Sequence, residues 1–287
     1  MGIPVVKFAE ADWSPAQLWL IDLRLVGEEY ARLEKVIRAH PQTTFLLRIV
    51  DPYWETCLQA INTRFIFQHA LDSNVGIVSG YQPEEACQLL QDVCNATKKL
   101  FVCPNPYDKR KELPIDETWL LRKKTIGLAG AAGPSLYPYR TFLRRKRVLD
   151  PWLWGRVTVL SHPGYADIGD RSPCKVSGDS FIAWMAQFRF FYLCPGRCRL
   201  EFVKYRECAY AGCVPIGVPP KTMTPQTSKH MLPLDWTDYE NQRNRILKIK
   251  KTDAMERAKN FRQAFAKDRD PQSLRERLVS EVLSWRS

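Results

Sequence analysis

Residues 188 to 220 read FRFFYLCPGRCRLEFVKYRECAYAGCVPIGVPP, and this stretch decides the fold. Phe190 to Leu193 predicts a short strand, the Pro-Gly pair after it turns the chain, and Glu201 to Tyr210 predicts a helix. Gly212 is the residue type that ends a helix, and Val214 to Val218 predicts a second strand that two prolines terminate. Strands joined by a connection of this length pair in parallel through a right-handed crossover.

The rest of the chain extends the same alternation of strand-forming and helical runs. In chain order the runs are Leu18 to Leu23, Gly27 to Ala39, Thr44 to Val50, a segment near Arg64 to Phe67, Val75 to Ser79, Pro83 to Thr97, Lys99 to Cys103, Lys124 to Leu128, Tyr139 to Val148, Val157 to Leu160 and Asp179 to Gln187. Such alternation predicts an α/β fold with parallel sheets. From Trp236 onward, stripes of apolar residues at helical spacing predict helices.

The stretch Asn105 to Pro114 (NPYDKRKELP) combines turn formers and charges with little apolar content, so it is the best candidate for a linker. A second α/β unit starts there. We therefore predict three parts: a first domain over residues 1–115, a second over residues 116–235, and C-terminal helices over residues 236–287.

Composition excludes several classes of protein. The chain has 287 residues, of which 45% are hydrophobic, and its 43 basic and 31 acidic side chains give a net charge of +12. This balance fits a folded globular protein and not a disordered tail. The longest nearly uncharged apolar run, Ala16 to Ile21, is shorter than the roughly 18 to 20 residues of a membrane-spanning helix, and no signal peptide is evident. We expect a soluble, cytoplasmic protein whose basic surface also allows peripheral contact with a membrane.

The nine cysteines form no repeated CxxC pair, and their odd number in apolar contexts favours reduced, buried thiols over a disulfide framework. Cys194 and Cys198 are the closest pair, and they would need two more ligands to hold zinc. The four histidines offer no clustered spacing. We therefore predict no metal site.

Two loops are candidates for binding an anion, because ligands of parallel α/β sheets lie at the carboxyl ends of the strands, near helix N-termini. The first, Cys194 to Leu200, carries Arg197 and Arg199 into the following helix. In that helix Lys204 and Glu207 share a face, so the ammonium could neutralise phosphate while the carboxylate accepts from sugar hydroxyls. By spacing alone, an ion pair worth about 0.2–0.5 kcal/mol is the favoured interpretation.

The second loop, Ala129 to Leu136, contains two glycines and leads into Tyr137 and Arg140. Gly130 and Gly133 allow the backbone to approach a phosphate closely, and an arginine fork matches phosphate oxygens with two parallel hydrogen bonds. A diphosphate would suit both loops. The two glycines do not form a GxGxxG fingerprint, so a dinucleotide-binding fold of that type is not supported.

Candidates for a general base stand near predicted strand ends. Asp22, Asp51 and Asp167 are acids in such positions, and His162 follows another predicted strand. Acids at strand ends commonly cap turns or helices, and a lone loop histidine is usually structural. No single one of these residues stands out.

The run Arg144-Arg145-Lys146-Arg147 could contact nucleic acid or a membrane surface. A solvated helix face is the simpler interpretation of the same pattern.

Three segments together resemble one family. Residues 204–216, KYRECAYAGCVPI, resemble the KYxExxAxGxxPI donor-binding segment of GT-B glycosyltransferases. Lys124 to Arg140 resembles the strand, glycine, loop and YPxR opening of the same domain, and His162 to Tyr165 resembles an HPGY turn found between the two. The resemblance covers roughly residues 120–225 and is to the exostosin-like and related branches.

The resemblance implies two facing Rossmann-like domains (GT-B), with C-terminal helices packing back across the cleft. Residues 1–115 would form the acceptor side, and residues 116–235 would bind a nucleotide-diphosphate sugar such as a UDP or GDP sugar. Carried over by position, Arg140 and Lys204 would contact the diphosphate. Arg197 and Arg199 would assist, and Glu207 would contact ribose or sugar hydroxyls.

The function implied is transfer of a hexose or pentose to a glycan or other glycoconjugate acceptor, without metal, cofactor or nucleic-acid partner. No DxD-like acidic pair stands in a convincing loop, consistent with metal independence. Two alternatives stay open: a basic module that binds nucleic acid or other polyanions without catalysis, and a degenerate transferase that scaffolds a partner.

Overall fold

The structure is a computed structural model that describes residues 18–22, 25, 27–49, 61–80, 99–134, 137–160, 178–195, 201 and 203–286. The predicted helix Pro83 to Thr97 lies outside these residues. Contacts divide the chain into two compact units, Met1–Asn105 with Leu274–Ser287, and Pro106–Ser273. The functional division predicted from the sequence, with its boundary after residue 115, stays a prediction.

The first unit is built on a parallel sheet whose described strands have the order β1-β2-β3-β4. Its elements are β1 (Leu18–Asp22), α1 (Glu29–Ala39), β2 (Thr44–Ile49), α2 (Ile61–His69), β3 (Val75–Ser79) and β4 (Leu100–Val102). The segment near Arg64 to Phe67 is therefore helical.

Successive residues of β2 face opposite sides of this sheet, as the pleat requires. Phe45 packs into a core that includes Leu33 of α1, whereas Leu46 packs into a core that includes Val282 of the C-terminal helix. Apolar side chains on both sides explain why β2 reads as a continuous apolar run instead of an alternating one.

The second unit is built on a parallel sheet with the described strand order β6-β5-β7-β8-β9. Its elements are β5 (Lys123–Ala129), α3 (Pro138–Leu149), β6 (Val157–Leu160), α4 (Gly178–Met185), β7 (Phe188–Leu193), α5 (Val203–Ala211), β8 (Val214–Gly217), α6 (Pro225–Ser228), β9 (Leu232–Pro233), α7 (Tyr239–Lys248) and α8 (Lys251–Asp268); α9 (Pro271–Arg286) then continues into the first unit. The predicted strand, helix, strand unit is confirmed as β7, α5 and β8.

Helix α5 is fixed in place along its length. Tyr205 is fully buried, and its hydroxyl donates to the Val218 carbonyl at 2.6 Å. Arg262 of α8 donates to the Ala209 and Tyr210 carbonyls at 2.8 and 2.9 Å, which satisfies acceptors that the end of a helix leaves open. Gly212 then ends the helix with φ of 65°, as predicted.

The apolar stripe predicted near the C-terminus is confirmed. Ala254, Ala258, Phe261 and Phe265 form the buried stripe of α8. The described cysteines, at positions 103, 194, 208 and 213, are free thiols. Cys198 lies outside the described residues. Among the described helices, none is both long and apolar enough to cross a bilayer.

Candidate anion-binding site

The carboxyl ends of β5, β7 and β8 meet at one edge of the second sheet. Gly130 directly follows β5 and has a φ of 106°, a backbone conformation that residues other than glycine rarely adopt. A Cβ atom built on Gly130 would lie 2.8 Å from Arg140 Nη1 and 3.4 Å from Lys204 Nζ. Two cationic side chains from different helices therefore lie close to the backbone of Gly130, which has no side chain of its own.

Arg140 is set by the first turn of α3. Pro138 begins this helix with a φ already suited to it, and Arg140 follows two residues later. The side chain is only 4% exposed, and Nη1 donates to the Ala131 carbonyl at 3.0 Å. The guanidinium also lies over the ring of Tyr137, 4.4 Å from its centroid. These contacts hold the cation at the edge of the sheet.

Two further side chains of α3 hold the glycine loop. Arg144 Nη2 donates to the Gly130 carbonyl at 2.9 Å, and the Gly133 amide donates to Thr141 Oγ1 at 3.0 Å. The sequence pattern assigned Arg144 to a solvated basic run, which misses this role. Its position four residues after Arg140, on the same helix face, is the signal that indicates it.

Lys204 lies in the first turn of α5, partly buried. Burial lowers the pKa of this ammonium, and the nearby Arg140 lowers it further, whereas the Glu207 carboxylate opposes the shift. Burial raises the pKa of the Glu207 carboxyl, against the influence of Lys204. The Cys194 thiol at the end of β7 also has a raised pKa, again from burial. Binding an anion here would relieve the repulsion between the two cations.

Solved structures share this architecture at low sequence identity. An alpha-glucosyltransferase in complex with UDP-glucose and DNA containing an abasic site is 11% identical, with a TM-score of 0.61 over 93% of this chain and 80% of that one. A UDP-forming alpha,alpha-trehalose-phosphate synthase from Burkholderia xenovorans is 10% identical, with a TM-score of 0.57 over 98% and 75%. HepE from Anabaena in complex with UDP is 12% identical, with a TM-score of 0.52 over 92% and 78%.

The chain has the GT-B fold. At these identities the likeness shows the fold and leaves substrates open. No family model matches the chain, and no curated protein matches it in sequence.

Within the GT-B second domain, the structure brings together four of the predicted donor-binding residues: Gly130, Tyr137, Arg140 and Lys204. Glu207 lies one helical turn beyond Lys204 and acts on its pKa. Arg197, Arg199, Asp51 and His162 lie outside the described residues.

Asp22 belongs to the other unit of the GT-B fold. It ends β1 opposite Arg48 of β2, and its carboxylate lies 3.9 Å from Arg48 Nη1. The carboxylate therefore has a cationic neighbour in its own unit.

Gly217, at the end of β8, is a site-edge residue that sequence reasoning did not single out. Its φ is 124°, and a Cβ atom there would lie 1.9 Å from the Leu193 carbonyl oxygen of β7. The Val218 amide donates to that same oxygen at 3.1 Å. A glycine inside a strand pattern is the available signal, since it often marks close backbone approach.

The acids near the end of α8 have structural partners. Asp268 accepts from Thr227 Oγ1 at 2.6 Å and from Thr224, and Asp270 accepts from the Ser273 amide at 2.9 Å. Arg269, between them, donates to Glu201 at 2.6 Å. Within the described part of the chain, no three His, Cys, Asp or Glu residues converge as metal ligands would.

Proposed function

We propose that this protein is a glycosyltransferase that moves a sugar from a nucleotide-diphosphate sugar to a hydroxyl of a glycan or other glycoconjugate. The observation that carries the proposal is the convergence of Arg140 and Lys204 on Gly130, at the strand ends of a GT-B second domain. A diphosphate needs close backbone approach and cations from more than one direction. The predicted division into an acceptor-side domain, a donor domain and C-terminal helices belongs to this proposal.

The chemistry makes use of the two cations. The bond between the anomeric carbon and the diphosphate oxygen breaks, and a bond from that carbon to the acceptor oxygen forms. Negative charge grows on the departing diphosphate, where Arg140 and Lys204 stabilise it without a metal ion. Each preorganised donor of this kind contributes about 3–4 kcal/mol to transition-state stabilisation. Glu207 accepts hydrogen bonds from ribose or sugar hydroxyls, and Arg197 and Arg199 assist at the phosphates.

The proton released by the acceptor hydroxyl passes to a base, for which Asp22, Asp51 and His162 are the candidates. Asp22 is the candidate whose contacts are described, and its carboxylate lies 3.9 Å from Arg48 Nη1. Asp22→Asn, Asp51→Asn and His162→Gln, tested singly, separate them. The variant of the true base loses transfer while UDP affinity is retained.

UDP sugars are the first donors to test, since two of the structural neighbours are complexes with UDP-glucose and with UDP. GDP sugars and the exostosin-like branch belong to the same proposal as second choices. A pentose donor is tested beside the hexoses.

The alternative to an enzyme is a basic module that binds polyanions without catalysis. Arg145 and Arg147 are exposed on α3, and one neighbour was solved with DNA. Against this, Arg144 is engaged with Gly130, and Lys146 Nζ lies 4.5 Å from the centroid of the Tyr239 ring. Arg144 and Lys146 thus have intramolecular partners, which favours a structural role for these two residues.

A thermal-unfolding screen of UDP, GDP, their sugar conjugates and a short oligonucleotide tests the two functions. A donor at about 100 times its dissociation constant adds about 2.7 kcal/mol of stability, and we expect a UDP sugar to give this effect. The shift should persist in EDTA. If only the oligonucleotide stabilises the protein, with steep salt dependence, the polyanion module is the correct assignment. A donor shift without turnover on any acceptor identifies the degenerate transferase.

We expect UDP affinity to decrease as pH is raised, and this decrease should begin at a lower pH than it would for a lysine with an ordinary pKa. Because the pKa of Lys204 is lowered from the usual 10.5, the ammonium is lost as pH rises through that lowered value, before an ordinary lysine loses its charge. Titration calorimetry with UDP at a series of increasing pH values measures the effect. Lys204→Arg keeps its charge and should abolish the decline. An identical decline in both proteins would assign the pH effect to another group.

A further inference from the structure

Four large apolar side chains project into solvent in a short segment of the second unit, from the end of α3 to the start of β6. Their exposed fractions are 67% for Val148, 74% for Leu149, 58% for Trp152 and 63% for Trp154. Single exposed apolar residues are common, but contiguous groups of this size mark interaction surfaces. We call these four residues the tryptophan patch.

The backbone of the tryptophan patch is held firmly. Asp150 caps the 3-10 turn Pro151–Leu153 by accepting from the Trp152 amide at 2.9 Å. Its carboxylate also accepts from Tyr239 Oη at 2.6 Å and from Arg243 Nη1 at 2.7 Å. The Trp154 indole donates to the Val148 carbonyl at 2.8 Å. The indoles are therefore presented outward by a fixed turn, and the exposure is not that of a fraying loop.

The exposed charges that flank the tryptophan patch along the chain are basic. Arg145 and Arg147 precede it on α3, Arg156 follows it, and all three side chains are exposed. The one acid between residues 137 and 156 is Asp150, which is buried and paired with Arg243. The segment therefore presents exposed indoles and aliphatic groups together with three exposed arginines, which we call its cationic rim. Such a surface is complementary to a layered partner in which anionic groups lie at the surface and apolar groups lie beneath them.

We propose that the tryptophan patch docks the protein on the surface of an anionic lipid bilayer. Indoles favour the headgroup level of a membrane, where the apolar ring is shielded, and the Trp154 N–H already has a partner in the Val148 carbonyl. Val148 and Leu149 can enter the boundary with the acyl chains, while the arginines bind lipid phosphates. The tryptophan patch lies at the C-terminal end of α3, whose N-terminal turn carries Arg140 of the donor site, and none of its four residues belongs to that site.

Other occupants fit less well. A second copy of the chain would bring two cationic rims together, and like charges across an interface oppose association. Single-stranded nucleic acid would use the indoles for stacking, but it gives Val148 and Leu149 no partner. A bilayer uses all four side chains and the arginines together.

Cosedimentation with vesicles tests this proposal. We expect the protein to bind vesicles of phosphatidylcholine that contain phosphatidylserine, and to bind phosphatidylcholine alone much more weakly. Leu149→Ser combined with Trp152→Ser should weaken binding by about tenfold or more, since two apolar anchors are lost. Arg145→Glu combined with Arg147→Glu should weaken it by roughly 30-fold or more.

The matched control reverses two exposed lysines outside the patch, Lys35→Glu with Lys251→Glu, which gives the same change in net charge. It should weaken binding by less than about threefold, because charges away from the contact are screened. All variants should unfold at the wild-type temperature, and their stabilisation by a UDP sugar should be unchanged. Equal vesicle binding by the patch and control variants would overturn the proposal. So would wild-type protein that binds an oligonucleotide through these residues and ignores vesicles.

Discussion

Replacing Lys204 by methionine is expected to slow sugar transfer by about 10²- to 10³-fold while the protein keeps its fold. Methionine retains most of the apolar stem and removes the ammonium that would stabilise the departing diphosphate. The unfolding temperature should stay the same or rise, because the charged form of Lys204 is disfavoured by burial and by the nearby Arg140. A structural role alone would predict the opposite change in stability.

The measurement is kcat and KM for transfer or donor hydrolysis, with UDP affinity determined separately by calorimetry. Lys251→Met is the matched control, since this lysine is exposed at the start of α8. Arg140→Lys provides a second test, because an ammonium cannot reproduce the forked hydrogen bonds of a guanidinium. If Lys204→Met transferred sugar at the wild-type rate, Lys204 would have to be removed from the proposed mechanism.

Gly217→Ala is expected to destabilise the second unit by about 3–5 kcal/mol, the largest effect on stability that we predict. The new methyl group would overlap the Leu193 carbonyl oxygen, because a Cβ atom there lies 1.9 Å away. That oxygen accepts from Val218, so β7 and β8 cannot separate to make room without losing a hydrogen bond. The positive φ adds backbone strain of about 1–3 kcal/mol.

Urea unfolding followed by tryptophan fluorescence measures this loss, and Gly133→Ala is its control. A Cβ atom on Gly133 meets nothing within 4 Å, and its φ is not positive. That substitution should therefore be neutral or stabilise the protein by up to about 1 kcal/mol, through the unfolded state. If the two alanine variants proved equally stable, the inference that β7 and β8 approach too closely at residue 217 for a side chain would be wrong.

The sequence carries the elements of this fold because their signals are local. Gly212 and the apolar run after it indicate where α5 ends and β8 begins, and the contacts of the surrounding chain are not needed. The short strand β9 has no such signal, since two residues are too few to show alternation. The return of α9 to the first unit depends on which apolar face it finds, and a helical stripe alone does not specify that face.

The candidate site divides in the same way. Arg140 and Lys204 could be selected from the sequence because each stands in a motif beside a predicted strand end. Their closeness to Gly130 depends on how β5 and β7 pair. This pairing is part of the tertiary structure and is not encoded in a local sequence pattern. Arg144 and Thr141 were not predicted as site residues, because basic and hydroxyl residues on a helix usually face water. Their role in the structure is to hold the backbone of the loop by hydrogen bonds.

The packing of α9 determines how the two units can be studied apart. Leu46, Val78 and Phe101 of the first sheet are covered by Val282 of this helix, and Arg286 donates to the Ser73 carbonyl at 3.0 Å. A recombinant fragment that stops near residue 105 would expose this apolar face and is prone to aggregate. Supplying residues 271–286 as a separate peptide should rescue its solubility, whereas the fragment 106–273 already contains its own core.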